Sequence, residues 1–371
     1  MLEIPIPYLQ FDFIKTKRIA GGCLCSFALM KLVHLAIALL AIVIVSCKST
    51  DKGQKEANAN RIVGFYNLEN LFDTINDPSI NDEEFLPDSK KEYGTERYNE
   101  KLAHLAKVIA EFKPDMLGVC EVENKQVLID LCGTLSLNHE LDYSVSHHNS
   151  PDKRGIDVAF IYQSSKFKAE RLTAHTVILE GEPNFKTRDI VCLTATDGND
   201  SFYFFANHWP SRSGGQAESE YKRTAAAFWL NKRVTGLQKR NPDARIIIMG
   251  DFNDEPFNTS IVNYLKADSI LTSKTNLFNT SYHLIKKGEG TYNYRGDWNV
   301  LDQIIVSQNL VNGDLTDYEI EPASAQVVKK DFMLYTTRSG QKVPSRSYGG
   351  PNYYGGYSDH LPTFVTLLTR K

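Results

Sequence analysis

The sequence predicts an α/β fold in which β-sheets pack together with helices outside. Two observations carry this. Short apolar runs bounded by turn residues recur along the chain, and longer segments with apolar residues at helical spacing lie between them. Sheets and amphipathic helices of this kind bury their apolar faces against one another in layers. The 371 residues are 42% hydrophobic, ample for a sizeable core, and no repeat with a period of about 20–50 residues appears. The expectation is a single domain behind an N-terminal targeting segment.

That segment is residues 1–47. Leu35–Val45 (LAIALLAIVIV) is an unbroken apolar run, too short to span a bilayer comfortably and suited to the apolar region of a signal peptide. Ile44-Val45-Ser46-Cys47 has the form of a bacterial lipobox, in which the cysteine is lipidated and becomes the first residue. Met30-Lys31 would open a compact signal, which makes residues 1–29 an over-called start. Residues 48–60 (KSTDKGQKEANAN) are small and polar and read as a flexible tether. The expectation is a protein of the cell envelope, lipid-anchored to a membrane through Cys47 and facing outside the cytoplasm. Of the cysteines beyond Cys47, Cys120 and Cys192 sit in apolar runs as core thiols. With Cys132 they make an odd number, so no complete disulfide framework follows.

The folded domain is then expected to occupy 61–371. Arg61–Tyr66 reads as a short strand. Tyr98–Phe112 places Leu102, Leu105, Ile109 and Phe112 on one helical face, and Pro114 stops it. Asp115–Val122 reads as a buried strand and Asn124–Leu135 as a second helix. Ile156–Gln163, Thr173–Leu179, Asp189–Ala195 and Ser201–Asn207 are short strands, with Gly198-Asn199 suited to a hairpin turn. Gln216–Lys239 is a long helix, Arg245–Met249 a strand and Ser260–Leu265 a short helix. Leu301–Val306 is a further strand. Residues 337–357, rich in Gly, Ser and Tyr, form a long loop before the final strand Leu361–Leu368.

Polar residues recur where apolar runs end, and loops at such ends carry function. Asn67 follows the first strand, Glu121 the next, and Asn207 and His208 a third. Asp251 and Asn253 follow RIIIMG. Asp302 opens a strand, and Asp359 and His360 precede the last one. Singly, each reads as a turn residue, a cap or a satisfied histidine. Jointly they fit phosphoester hydrolysis. A hard divalent cation takes oxygen ligands, with Glu121 as the principal one and Asn67 and Asp359 completing the shell directly or through water. His360 paired with Asp302 is the base for a water nucleophile. Asn253 and His208 donate to the non-bridging oxygens, and Asp251 orients the water or assists the leaving group.

The strings YNLEN, CEVEN, RGIDVAFIY, NHWPSR, GDFND, LDQIIV and SDH occur in the order found in the endonuclease/exonuclease/phosphatase superfamily, which the chain resembles over about residues 61–369. The resemblance implies a four-layer α/β sandwich, with two mixed β-sheets face to face and helices outside. It matches the family's metal-binding Asn and Glu to Asn67 and Glu121. The strand-end His matches His208, the Asp-x-Asn matches Asp251 and Asn253, and the late Asp matches Asp302. The terminal Asp-His matches Asp359 and His360. It implies Mg²⁺ or Mn²⁺ as cofactor, with Ca²⁺ in some secreted members. Deoxyribonuclease-type members have a further acid supporting the first histidine; Asp157 and Glu123 are the candidates here.

Arg154 and Arg212 lie in the motif loops, where a guanidinium fork can grip phosphate; Arg223, on a helix, is a weaker candidate. Trp209, Trp298 and Tyr292 are candidates for stacking on a base or sugar, or for packing. The net charge of −3 and the lack of a basic tail argue against non-specific wrapping of nucleic acid, and leave room for a local basic cleft. The reading is a monomeric metal-dependent phosphodiesterase, a nuclease with DNA or RNA as partner. The alternatives are a phosphatase or sphingomyelinase-like phospholipase, and a non-catalytic surface lipoprotein.

Overall fold

The computed structural model describes residues 60–272, 276–311 and 317–370. The signal segment, Cys47 and the tether up to residue 59 lie outside them.

Two mixed sheets of seven strands each form the centre. The first is built on β1 (Arg61–Leu71), β2 (Met116–Val122), β3 (Ser144–His148) and β4 (Asp157–Tyr162). The final strand, Thr363–Thr369, pairs antiparallel with β1, while β1 and β2 run parallel. The second contains β5 (Lys168–His175), β6 (Ile190–Asp197), β7 (Asp200–His208) and β8 (Arg245–Asp251), continued by the strand Asp302–Ser307. Here β7 and β8 are parallel, and Asp302–Ser307 runs antiparallel to β8.

The period-two alternation of the strands decides the layering. Val63 and Phe65 of β1 and Ile247 and Met249 of β8 face one another in a core between the sheets. The approach is close: a side chain at Gly118 would place its Cβ 2.6 Å from the Met249 sulfur. Outward residues of the first sheet, such as Leu117 and Ile161, pack under α1 (Thr95–Phe112) and α2 (Lys125–His139). Outward residues of the second sheet, Ile246 and Ile248 among them, pack under α3 (Gln216–Arg240). Helices, sheet, sheet and helix thus make the four-layer sandwich.

Local structure follows the sequence with informative exceptions. Asn124 caps α2, its side-chain oxygen accepting from the amides of Gln126 (2.7 Å) and Val127 (3.1 Å). Gly198 takes a positive φ in the β6–β7 turn. The run expected as the strand Thr173–Leu179 is displaced: β5 ends at His175, and Val177 and Leu179 are buried in irregular chain beside the second sheet. Apolar burial there mimics a strand signal without ladder pairing. Ser260–Leu265 forms a single π-helical turn. The expected loop 337–357 takes part in short ladders, Lys342–Pro344 pairing back with Leu334–Thr336 just before it, and Tyr348–Gly349 with Asn352–Tyr353 inside it. Cys120, Cys132 and Cys192 are all buried and free.

Candidate active site

The register of the second sheet puts three of the marked residues side by side. His208 stands opposite Asp251 in the β7–β8 ladder, and Asp302 opposite Asp251 in the next. All three are buried at the sheet's rim. Gly250 is required for this close row, because a Cβ there would meet the Asn207 carbonyl oxygen at 2.6 Å. From the first sheet, β1 and β2 bring Asn67 and Glu121 to the same mouth. Both strands are irregular there. The β1–β2 register shifts after Asn67, with Glu69 and Asn70 left-handed, and the β2–β4 register shifts around Glu121, itself at φ 59°. Non-glycine residues in that region cost about 1–3 kcal/mol each, a strain typical of functional sites.

Direct contacts tie the two sheets together. The Asn67 amide donates to Asp251 Oδ2 (3.2 Å), and the other Asp251 oxygen accepts the Asn253 N–H (3.0 Å). His208 Nε2 lies 3.6 Å from Asp251 and 3.9 Å from Glu121. His360 Nδ1 is 2.7 Å from Asp302 Oδ2, and its Nε2 is 3.8 Å from Asp251. The Ser358 hydroxyl donates to the Asn67 carbonyl (2.8 Å) and accepts the His360 N–H (3.1 Å), so one serine ties the end of β1 to the turn that carries His360 into the final strand of the same sheet. The Tyr292 ring lies 4.7 Å from the His360 ring and holds it from the side.

The two histidines differ in charge. Burial, with Arg188 and Arg154 nearby, pushes His208 well below the ordinary histidine value, so its ring is neutral. Burial works against charge on His360 too, but the carboxylates of Asp302 and Asp251 overcome it and hold that ring well above its usual value. Burial also lifts Asp251 to about 7, opposed by His360 and assisted by Asp302. A proton is therefore retained between Asp251 and His360.

The donor set fits a hard divalent cation. Asp251, Asp302 and His360 each offer a ligand atom, all within 4.8 Å of one another. The second oxygen of Asp302 is buried without a hydrogen-bond partner. Glu121 adds a carboxylate at the same mouth, 3.9 Å from His208 Nε2, and the Asn67 side-chain oxygen accepts the Glu69 N–H (3.0 Å) while its nitrogen faces Asp251, so the set is one of oxygens and imidazole, which Mg²⁺ or Mn²⁺ prefers to a sulfur-rich one. Asp359 sits on the lip of the mouth, 3.5 Å from Arg346.

Several expected roles meet other partners. Arg212 donates to the Asn253 carbonyl (2.7 Å) and to the side chains of Asn299 and Asn258 (3.3 Å each). Its fork is therefore occupied in shaping the Asn253 loop, and is not free to grip phosphate. Arg223 is fully buried against Asp254 (2.8 Å). Arg154 is half-exposed at the mouth, 2.6 Å from Asn70 Oδ1 and 3.4 Å from Glu121. Asn253 gives one amide hydrogen to the Trp209 carbonyl (3.0 Å). Trp209 is buried edge-on against Phe252 and cannot stack on a ligand. Trp298 is partly buried beneath Lys329. Neither acid considered as support for His208 reaches it: Asp157 pairs with His147 (2.9 Å), and Glu123 accepts the Asp73 N–H (2.7 Å). His208 Nδ1 is buried with no partner.

Two supporting residues escaped sequence reasoning. Arg188 donates to the carbonyls of His208 (3.1 Å) and Trp209 (2.7 Å) and pairs with Asp152, fixing the His208 backbone. Nothing in its sequence surroundings distinguishes it. Lys101 is buried, donates to Ser347 and the Tyr357 carbonyl (2.8 Å each), and lies 3.7 Å from Glu69. It falls on the apolar face of α1 with Tyr98, Leu102 and Leu105, and a charge on that face was the available signal.

The sequence matches the Endonuclease/Exonuclease/phosphatase family over residues 62–369. No curated protein matches it. Among solved structures, an endonuclease/exonuclease/phosphatase family protein from Bacteroides thetaiotaomicron is 17% identical with a TM-score of 0.52, over 84% of this chain and 98% of that one. A mannosyl-6-phosphatase from the same organism is 17% identical with a TM-score of 0.51, over 83% and 99%. D. rerio TDP2, solved with a single-strand DNA product, is 14% identical with a TM-score of 0.50, over 84% and 100%. At these identities the likeness is one of fold. The family match over nearly all of the described chain, together with the assembled carboxylate, amide and imidazole centre, places this protein in the endonuclease/exonuclease/phosphatase family of phosphoester hydrolases.

Proposed function

We propose that this chain is a divalent-metal-dependent phosphodiesterase that cleaves a nucleic-acid strand, acting as a monomer held at the outside of a cell membrane by a lipid on Cys47. The observation that carries the diester reading is the shape of the mouth. Cavities of about 760 and 520 Å³ share Asp359 and Arg346 in their walls, which leaves room for a substrate on either side of the Asp359 lip. The smaller cavity is lined by the exposed rings of Tyr294, Tyr335 and Tyr354, with Arg295 beside them. Aromatic faces and a guanidinium suit successive bases of a single strand.

In this reading Glu121, Asn67 and Asp251 hold the cation, with Asp359 contributing directly or through water. Such a cation, Mg²⁺ or Mn²⁺ with Ca²⁺ as a further candidate, would supply polarisation of the phosphoryl oxygen and would offset the charge of the surrounding carboxylates. His360 Nε2 takes a proton from the attacking water, and Asp302 fixes the ring and stabilises its charged form. Neutral His208 and the remaining Asn253 N–H donate to non-bridging oxygens as charge develops there. Arg154 contacts phosphate at the mouth, and Arg212 acts through the Asn253 loop.

A compact phosphomonoester is the second reading. It is favoured by the larger cavity alone, where Lys90, Lys91, Arg97, Lys101 and Arg346 gather around a space wide enough for one small ester. The deciding experiment measures turnover of single-stranded DNA, supercoiled plasmid, RNA, sphingomyelin and inositol phosphates, each with Mg²⁺, Mn²⁺ and Ca²⁺. Cleavage of a strand sustains the proposal. Hydrolysis confined to monoesters establishes the second reading.

A further inference from the structure

A cavity of about 290 Å³ lies on the outer face of the second sheet, beside the C-terminal half of α3. Its lining shares no residue with the catalytic mouth. The floor is a cross-strand face: Thr173 pairs with Cys192, Arg171 with Thr194, and Thr194 in turn with Tyr203. The wall is one stripe of α3, where Lys232, Arg233 and Arg240 flank Gly236. Gly236 leaves the wall open, since a Cβ there meets nothing nearer than the Arg240 guanidinium at 3.7 Å.

The charge around this cavity is one-sided. Its lining has four permanent cations, Arg171, Lys232, Arg233 and Arg240, and no carboxylate. Among the described residues none of the four forms an ion pair, and two acids close by, Glu170 next to Arg171 in the chain and Asp189, whose charge acts on His175, have other partners. Glu170 pairs with Lys168 (3.0 Å), and Asp189 pairs with His148 (3.0 Å). His175, also in the lining, is pushed below its ordinary value by burial and then by Arg233, so the Arg233 charge is felt inside the cavity. Individual cations have ordinary uses. Arg171 on an edge strand discourages sheet extension, and Arg240 in the last helical turn complements the helix dipole. Lys232 lies over the Trp229 ring, 4.6 Å from its centroid, but none of these uses accounts for Arg233, further into the helix, converging with the others on hydroxyl-bearing strands.

We propose that this cavity is an anion-binding site, separate from the catalytic centre, for a compact ligand bearing phosphate groups. Guanidinium forks match phosphate oxygens two at a time. The hydroxyls of Thr194 and Tyr203 supply further donors on the floor. The cavity accommodates a small phosphorylated group, either of a soluble ligand or of an anionic lipid headgroup at the membrane surface.

The test is calorimetric titration of the full chain with inorganic pyrophosphate, in chelator so that metal at the catalytic centre takes no part. The expected result is saturable one-to-one binding that Glu121→Ala leaves unchanged. It should weaken at least about tenfold in an Arg233→Ala/Arg240→Ala variant, the loss expected for a charge-assisted hydrogen bond. Gly236→Leu fills the cavity without changing charge and should abolish binding while preserving the thermal transition. No binding, or equal binding by all these variants, overturns the site. Sedimentation of the Cys47→Ser chain with phosphatidylcholine vesicles, with and without phosphatidylglycerol, identifies the source. Vesicle binding displaced by pyrophosphate assigns the phosphate to a headgroup, and pyrophosphate binding without vesicle binding assigns it to a soluble ligand.

Discussion

His360 shows how far one side chain's role depends on its neighbours. A buried imidazole alone would be neutral, but Asp302 at 2.7 Å and Asp251 at 3.8 Å keep it charged when no cation offsets them. His360→Ala should lower kcat by about two to four orders of magnitude, the usual contribution of a general base, with an unchanged circular-dichroism spectrum. Asp302→Asn should also reduce kcat and move the pH profile, because it alters the charge facing that ring. Glu121→Ala should lose Mg²⁺ or Mn²⁺ binding in a calorimetric titration, and unchanged metal affinity would remove Glu121 from the ligand set. Glu123 offers a separate check. Burial raises its carboxyl from the ordinary range to about 7, with Asp73, Asp82 and Asp77 adding to the effect. The folded state thus favours its protonated form, and that contribution to stability is complete below about 4.5 and lost as pH rises through about 7. In chelator, Glu123→Gln should therefore gain in Tm relative to the parent between pH 5 and 8. Most of the residues gathered at the mouth were legible because polar side chains ending apolar runs stand out. Arg188 was not, since its partners are main-chain carbonyls that only the folded chain brings near it.

At the scale of elements, strands and helices with strong periodicity were read nearly to their ends, as α1 and β8 show. β5 was not. None of its residues is buried, while the apolar Val177 and Leu179 beyond it are buried without entering a ladder. The short ladders within 334–353 were hidden for a related reason: they are held by backbone pairing in a stretch rich in turn residues. α3 carries a feature its sequence did not signal, the buried Arg223–Asp254 pair, with further bonds from Arg223 to Ser219 and the Gln216 carbonyl (2.8 Å each). Removing one partner leaves the other charge buried and alone. Arg223→Ala should destabilise the protein by about 3–5 kcal/mol in urea unfolding, with metal affinity unchanged in the folded protein.

At the scale of the whole molecule, the layered architecture follows from strands whose alternate residues face a second sheet on one side and helices on the other. The spacing of apolar runs could not show one sheet or two, because both arrangements bury such strands; the family resemblance supplied the second sheet. A nuclease using this mouth touches several phosphates, so its KM should rise steeply with salt while its Tm changes little. A compact monoester would show a shallow dependence. The bond from Asn67 to Asp251 has one more consequence. Catalysis requires two separately hydrogen-bonded slabs to stay aligned where they meet, and a slight slide between them would silence the enzyme while leaving every strand intact. Mild heating should therefore extinguish turnover several degrees before far-ultraviolet ellipticity begins to fall, and cooling should restore it at once.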